Sequence, residues 1–293
     1  RHRYNTYTPE GDTLFINGKL MPDAQFIANV VEQLSPNQGY LSADSSEVLA
    51  FRTEANFMSE HKELVHLNSL PLNISFYNYA QSGRLRQIRT LPDLFLMNGE
   101  QIRLDFADIT KKRASAPIED RHTIAYNPDQ IFLEPGVKLR AAILNAEDGP
   151  IYLGANASVG EGAVIHGAHA IEAHAVVHIG AKLRGDSTIG PHCKVGGEIV
   201  NSVLTGYTNK SHDGFIGNSV IGEWCNFGAG TNVSNLKNNY SSVKIYDHIH
   251  DKMADTGLQF CGLIMGDFCR CGINTLFNTG TVVDVRANIF GAG

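Results

Sequence analysis

Counted six residues at a time from Leu153, the chain returns an aliphatic side chain at every step: Leu153, Val159, Ile165, Ile171, Val177, Leu183, Ile189 and Val195. With 43% of residues hydrophobic, eight hits in eight has a chance of about one in a thousand for a given phase. A second series runs Phe215, Ile221, Phe227 and Val233, and a third runs Met265, Cys271, Phe277, Val283 and Ile289. Four residues after an anchor the side chain is usually small, as at Ala157, Ala163, Ala175, Ala181, Cys193, Ser219, Cys225, Thr231 and Thr275. One residue after it, glycine recurs at 154, 160, 190, 196, 222, 228, 266 and 272. A helical period cannot keep every sixth residue on one face, and a strand period of two does not demand glycine beside each anchor. Short strands with a corner every six residues satisfy both demands, with glycine or another permissive residue at the corner. The pattern predicts a parallel β-helix over 131–293, its coils stacked at the ordinary strand separation. Two breaks, 201–214 and 234–262, are expected to leave the wall on its outside, where a solenoid carries its binding face.

The first 110 residues have a different texture. Thr13 to Gly18 reads as a strand meeting a turn, and Pro22-Asp23 opens a helical stretch with Phe26, Val30, Val31 and Leu34 on its apolar face. A strand-like run covers Gly39 to Phe51, and Leu91 to Ile109 alternates strand and turn signals. Mixed periods of this kind predict an α/β domain over 1–110. Residues 111–130, with Lys111-Lys112-Arg113, Pro117 and Pro128, read as a linker.

Composition narrows the function classes. A net charge of −6 with 18% charged residues gives no basic footprint for nucleic acid. No run of eighteen apolar residues and no leader-like start is visible, so the expectation is a cytoplasmic protein without membrane partners. The cysteines, Cys193, Cys225, Cys261, Cys269 and Cys271, are odd in number and lack C-x-x-C spacing, and they read as small core hydrophobes.

Specific runs then carry a resemblance. Glu198-Ile199 is followed by Lys210-Ser211-His212-Asp213-Gly214-Phe215-Ile216-Gly217, by Val220-Ile221-Gly222, and by Asn226-Phe227-Gly228-Ala229-Gly230-Thr231 and Asn235. Residues 131–293 resemble the acetyltransferase half of the bifunctional enzymes that make UDP-N-acetylglucosamine, the GlmU-like family. The runs S-N-L-K-N at 234–238 and F-N-T-G-T-V-V at 277–283 look closer still to a divergent bacterial branch of that family. The resemblance implies a left-handed parallel β-helix that forms a homotrimer, with active sites between subunits. It also implies a nucleotidyltransferase first half, of which residues 1–110 match the later portion. Asn17-Gly18 and Asn98-Gly99-Glu100 then fall in sugar-site loops. The glycine-rich phosphate loop of that half is not visible, and Mg2+ is implied only if the half is complete.

For the second half the resemblance implies acetyl-CoA-dependent N-acetylation of an amino sugar phosphate, glucosamine-1-phosphate in the family. Attack by an amine on a thioester needs a base of near-neutral pKa. His212 matches that base, and Glu198 matches the carboxylate that orients it. Ala229, Asn235 and Gly228 match the acetyl-CoA side, while Asn226 matches an acceptor contact. Two departures stand out: a family cation on the sugar phosphate falls on Val200, and an aromatic hydroxyl falls on Phe215. Arg184 offers a substitute cation, and Phe215 and Lys244 complete the implied substrate-binding set. No metal is expected.

Two other readings stay open. One is a sugar-1-phosphate nucleotidyltransferase whose β-helix is only structural. The other is a zinc hydratase of the γ-carbonic-anhydrase type, suggested by His166, His169, His174, His178 and His192, since imidazole is the commonest zinc ligand.

Overall fold

The six-residue anchors are the core of the wall. In the computed structural model, which describes residues 11–54, 74–80, 85–248 and 250–291, all eight anchors from Leu153 to Val195 are at most 1% exposed. The chain divides into two compact units, residues 1–89 and 90–293.

In the described part of the first unit, strands Thr13–Ile16, Val48–Thr53, Gln38–Leu41 and Ser75–Asn78 lie side by side in that order. The first three run antiparallel to one another, and the last is parallel to Gln38–Leu41. The run expected as one strand from Gly39 to Phe51 is therefore a hairpin. Helix α1, Ala24–Gln33, begins where expected, with the Asp23 carboxylate accepting from the Phe26 N–H at 2.7 Å. Its positions 26, 30 and 34 pack with Leu20, Leu49 and Tyr79, while Val31, a quarter-turn away, is 54% exposed. Residues 1–10, 55–73 and 81–84 of the expected α/β domain lie outside the described residues.

The second unit is a parallel-strand β-solenoid with three faces. Six strands from Ile124–Tyr126 to Phe215–Gly217 make the first face. Eight from Ile131–Leu133 to Val282–Val283 make the second, and eight from Lys138–Leu139 to Asn288–Ile289 make the third. The stretch expected as a linker, 111–130, thus already supplies the first face's opening strand. Helices α2, Asp93–Leu96, and α3, Asn98–Thr110, stand where strand and turn signals alternate in the sequence. The helix wins because its start is docked on the solenoid. Asn98 donates to the Asp186 carbonyl at 3.0 Å and accepts from Thr188 at 2.8 Å, and Arg103 pairs with Asp186. A Cβ on Gly99 would lie 2.1 Å from the Asp186 side chain, so this glycine serves close packing and not a sugar-site loop.

The repeating glycines have a role that periodicity does not reveal. The left-handed corner conformations are taken partly by glycine, as at Gly162, Gly180 and Gly230 with φ between 66° and 72°, and partly by Asn156, His174, His192, Tyr207, Trp224, Phe268 and Arg286, with φ between 52° and 62°. The glycines that follow the anchors sit instead where consecutive coils touch: a Cβ on Gly196 would fall 2.1 Å from the Ser211 carbonyl oxygen. At the corner, the rings of His174, His192, Tyr207 and Trp224 stack on one another at 4.7, 4.9 and 4.5 Å, the coil spacing itself. Trp224→Ala is expected to lower unfolding free energy by about 1 kcal/mol, a typical value for one aromatic pair. An unchanged denaturant midpoint would show that the stack contributes nothing.

The two expected breaks behave differently. Residues 234–262 do leave the wall, forming an antiparallel hairpin of Lys244–Asp247 with Lys252–Asp255. Val243 and Ile245 of this excursion bury against Phe95, Val220 and Ile264 on the outside of the second face. Residues 201–214, by contrast, stay in the wall. Their coil is short: Val177 lies opposite Val195, eighteen residues on, but Val195 lies opposite Lys210, only fifteen on. The lost residues shift the six-step phase, which looks like an insertion in the sequence but is a deletion. From Lys210 the six-step lands on Ile216, which is the fully buried inward anchor, and a five-residue step from there to Ile221 leaves Phe215 partly outward.

Candidate functional site

The slipped coil builds an unusual corner. Asn209–Lys210 is the last strand pair of the third face before the corner, and Phe215–Gly217 resumes the first face. Between them, Gly214 adopts φ +125°, and a Cβ there would lie 2.0 Å from the Thr231 carbonyl oxygen. His212 and Asp213 are exposed at the tip. The His212 ring makes no hydrogen bond among the described residues, so an acceptor lone pair and a donor N–H stand free for a ligand.

Beneath that ring lies a residue that the sequence reading overlooked. Lys210 occupies an inward core position, between Val195 on one coil and Phe227 on the next, and is 1% exposed. Its Nζ donates to the backbone carbonyl of His212 in a short hydrogen bond and to the Gly196 carbonyl at 3.4 Å. Burial pushes the Lys210 ammonium down to about 8, with the charge of Asp213 opposing that fall. The available signal was a strand-paired lysine flanked by short-coil geometry, but the phase slip hid its inward direction.

A directed polar array runs along the outside. His178 Nε2 lies 3.1 Å from Ser211 Oγ, which bonds the Asn209 carboxamide oxygen, and Asn209 Nδ2 donates to Asn226 Oδ1 at 3.1 Å. Burial, with Lys194 and His212 nearby, lowers the pKa of His178. Beside His178, a groove of about 300 Å³ is lined by Lys138, Arg140, Ser158, Glu161 and Ile179.

On the first face Lys182, Glu198 and Phe215 are opposite one another on successive coils. The Glu198 amide donates to the Gly214 carbonyl at 3.0 Å, which joins this column to the His212 corner. The Glu198 carboxylate bonds Arg184, including an Nε contact of 3.1 Å, and shares no hydrogen bond with His212. The Phe215 amide donates to Asn232 at 2.9 Å, and Asn235 donates to Asn218 at 2.7 Å. Gly217 gives room where the Phe215 ring and the Asn235 amide meet, since a Cβ there would lie 2.6 Å and 2.7 Å from them. Gly228 approaches the next coil as closely, 2.3 Å from the Gly272 carbonyl carbon for a Cβ, and Ala229 accepts from the Asn274 amide at 2.8 Å. The Gly230 amide donates to the Asp213 carbonyl at 3.0 Å, tying that glycine stretch to the His212 corner. Seven of the nine expected site residues therefore sit on successive coils of the wall, and Asn235 lies at the start of the excursion, bonded back to Asn218. Lys244 is apart, on the hairpin strand opposite Asp255.

The five clustered histidines diverge. His169 points into the core, fully buried and without a good hydrogen-bond partner, and desolvation pushes its pKa down to about 3. His174 and His192 stack at one corner, His178 faces Ser211 at another, and His166 lies 3.3 Å from Asp148. Among the described residues no three His, Cys, Asp or Glu side chains converge to hold a metal ion. Nor is any described helix long and apolar enough to cross a membrane.

Comparison with known proteins adds two findings. Residues 1–114 match the family model described as a sugar nucleotidyl transferase. Over 93 residues the chain is 32% identical to a bifunctional sugar-1-phosphate nucleotidylyltransferase/acetyltransferase of Sulfurisphaera tokodaii, covering 32% of this chain and 23% of that protein. It is 39% identical over 67 residues to a bifunctional protein GlmU of Gloeobacter violaceus, covering 22% and 15%. With the GlmU of a Nostoc species it is 29% identical over 141 residues, covering 44% and 29%. The matched stretches thus span less than a third of each of these relatives.

Proposed function

We propose that this GlmU-like chain, a sugar nucleotidyltransferase segment followed by a hexapeptide-repeat solenoid, is an acetyl-CoA-dependent N-acetyltransferase. The acceptor is an amino sugar phosphate, with glucosamine-1-phosphate the first choice, and the chain acts within a bifunctional route to UDP-N-acetylglucosamine. One observation carries the reading: a solvent-facing imidazole without internal hydrogen bonds, on a corner whose backbone is fixed from within.

In this mechanism the sugar amine attacks the thioester carbonyl of acetyl-CoA. His212 removes the amine proton as the new C–N bond forms, and collapse of the tetrahedral intermediate expels the CoA thiolate, which takes a proton to leave as thiol. Oxyanion charge is met by the backbone N–H of Ala229, which among the described residues donates to no backbone carbonyl, whereas the Gly228 and Gly230 amides already donate to Cys271 and Asp213. Asn226, its carboxamide oxygen already engaged by Asn209, turns its Nδ2 donors to the acceptor. Arg184 is the cation offered to the sugar phosphate in place of the one missing at Val200. When the phosphate draws Arg184 away, the Glu198 carboxylate is released to turn toward His212. Ala229 and Asn235 serve the acetyl-CoA side, and Lys244 reaches the site from the hairpin of a neighbouring subunit in a homotrimer.

Incubation with acetyl-CoA and glucosamine-1-phosphate is expected to release free thiol at a rate that depends on both substrates. A screen over amino sugar phosphates in which none elicits thiol would sink the acetyltransferase reading. Nucleotidyl transfer from UTP in that same preparation would then favour a solenoid with a purely structural role.

A further inference from the structure

We infer that Lys210 is a positioning residue for His212, anchoring its backbone from inside the solenoid core; the inference rests on the reading of His212 as the base. The position is one that every neighbouring coil fills with an apolar or weakly polar side chain: Val195 before it, Phe227 and Cys271 after it. Packing alone would therefore be served by methionine or leucine. An ammonium at 1% exposure carries a desolvation cost that no carboxylate bond offsets here, because its hydrogen-bond partners are the backbone carbonyls of His212 and Gly196. Asp213 contributes only through its field.

What the amine gains is the corner. The coil between Val195 and Lys210 is short, and Gly196 and Gly214 mark where the chain is drawn tight against its neighbours. Among the described residues the His212 carbonyl accepts from no backbone N–H, and the ammonium takes that place. Since the ring itself has no hydrogen bond, its location in the site depends on the main chain that carries it. A displacement of about 1 Å at a base is enough to cost on the order of 100-fold in rate.

The test uses the full chain, with Lys210→Met and His212→Asn made side by side. Exchange of a buried, carboxylate-free ammonium for an apolar chain of similar length is expected to leave the melting temperature unchanged or raise it. Thiol release by Lys210→Met is expected to fall about 30- to 100-fold in kcat, with KM for acetyl-CoA within about twofold of wild type. In histidine-labelled protein, the resonance missing from His212→Asn identifies His212, and in Lys210→Met that resonance is expected to shift and broaden. Full kcat in Lys210→Met overturns the inference, and so does a loss of activity accompanied by a lowered melting temperature. If His212→Asn keeps wild-type turnover, the base assignment fails instead. If even the wild type releases no thiol, the acyl-transfer reading fails, and Lys210 as an anchor is judged by the His212 resonance, an unperturbed signal overturning it.

Discussion

Removal of the His212 imidazole, in His212→Ala, is expected to lower acetyl transfer by roughly 100- to 10,000-fold, the usual contribution of a general base. An amine nucleophile arrives largely protonated near neutral pH and must lose a further proton as it attacks, so a corner without a base leaves both steps to water. The fold should not notice the change. The side chain is exposed and makes no hydrogen bond, and substitutions at such places ordinarily stay within about 0.5 kcal/mol. His178 is a poor replacement: it is half-buried, its Nε2 is engaged with Ser211, and its pKa is depressed. The measurement is kcat from thiol release together with a denaturation curve for the same preparation. Wild-type kcat in a normally folded variant would remove His212 from the mechanism and redirect attention to His178.

Much of this architecture is readable in the sequence because the solenoid's core has one simple requirement, an aliphatic side chain at every inward position. Val159 or Ile189 can be placed in the core by counting alone. Counting fails where a coil changes length. From Val195 the six-step lands on Asn201, Tyr207 and Asp213, so the coil appears to be an insertion and Lys210 a surface residue. Only the strand pairing, Val195 opposite Lys210, restores the phase and turns that lysine inward. The family runs pick out the His212 corner as a candidate in spite of the slip, since they rest on residue identity and not on period. Helix α3 was obscured for another reason. Its polar start gains its partners from Asp186 and Thr188, some ninety residues away, and a local pattern cannot contain those contacts. Glycine has two roles that the sequence does not separate: Gly162, Gly180 and Gly230 take left-handed corners, whereas the glycines after the anchors make room for a neighbouring coil about 2 Å from where a Cβ would be, which is visible only in three dimensions.

Lys210 also makes a prediction about stability with a definite sign. Its ammonium titrates at about 8 in the folded protein against an ordinary 10.5, so the fold holds the proton less tightly than the unfolded chain does. Below pH 8 both states are charged and the fold bears the full desolvation cost, which that displacement sets at about 3 kcal/mol. Between pH 8 and 10.5 the unfolded chain binds more protons than the folded one, so this lysine's contribution to stability rises with pH. The buried thiols Cys193, Cys225 and Cys261 work in the opposite direction. Burial raises each to about 11 from 9, so the unfolded chain ionises first and their contribution falls as pH climbs through that range. A wild-type profile alone would blend the two trends, whereas subtraction of Lys210→Met cancels the cysteines. The variant should be the more stable protein at pH 7, and its advantage should shrink by about 3 kcal/mol as the pH is raised to 10.5. Urea denaturation of both proteins at pH 7, 8, 9 and 10 measures the difference directly. A difference that stays flat across this range would mean that Lys210 titrates as an ordinary lysine, and the core anchor beneath His212 would have to be abandoned.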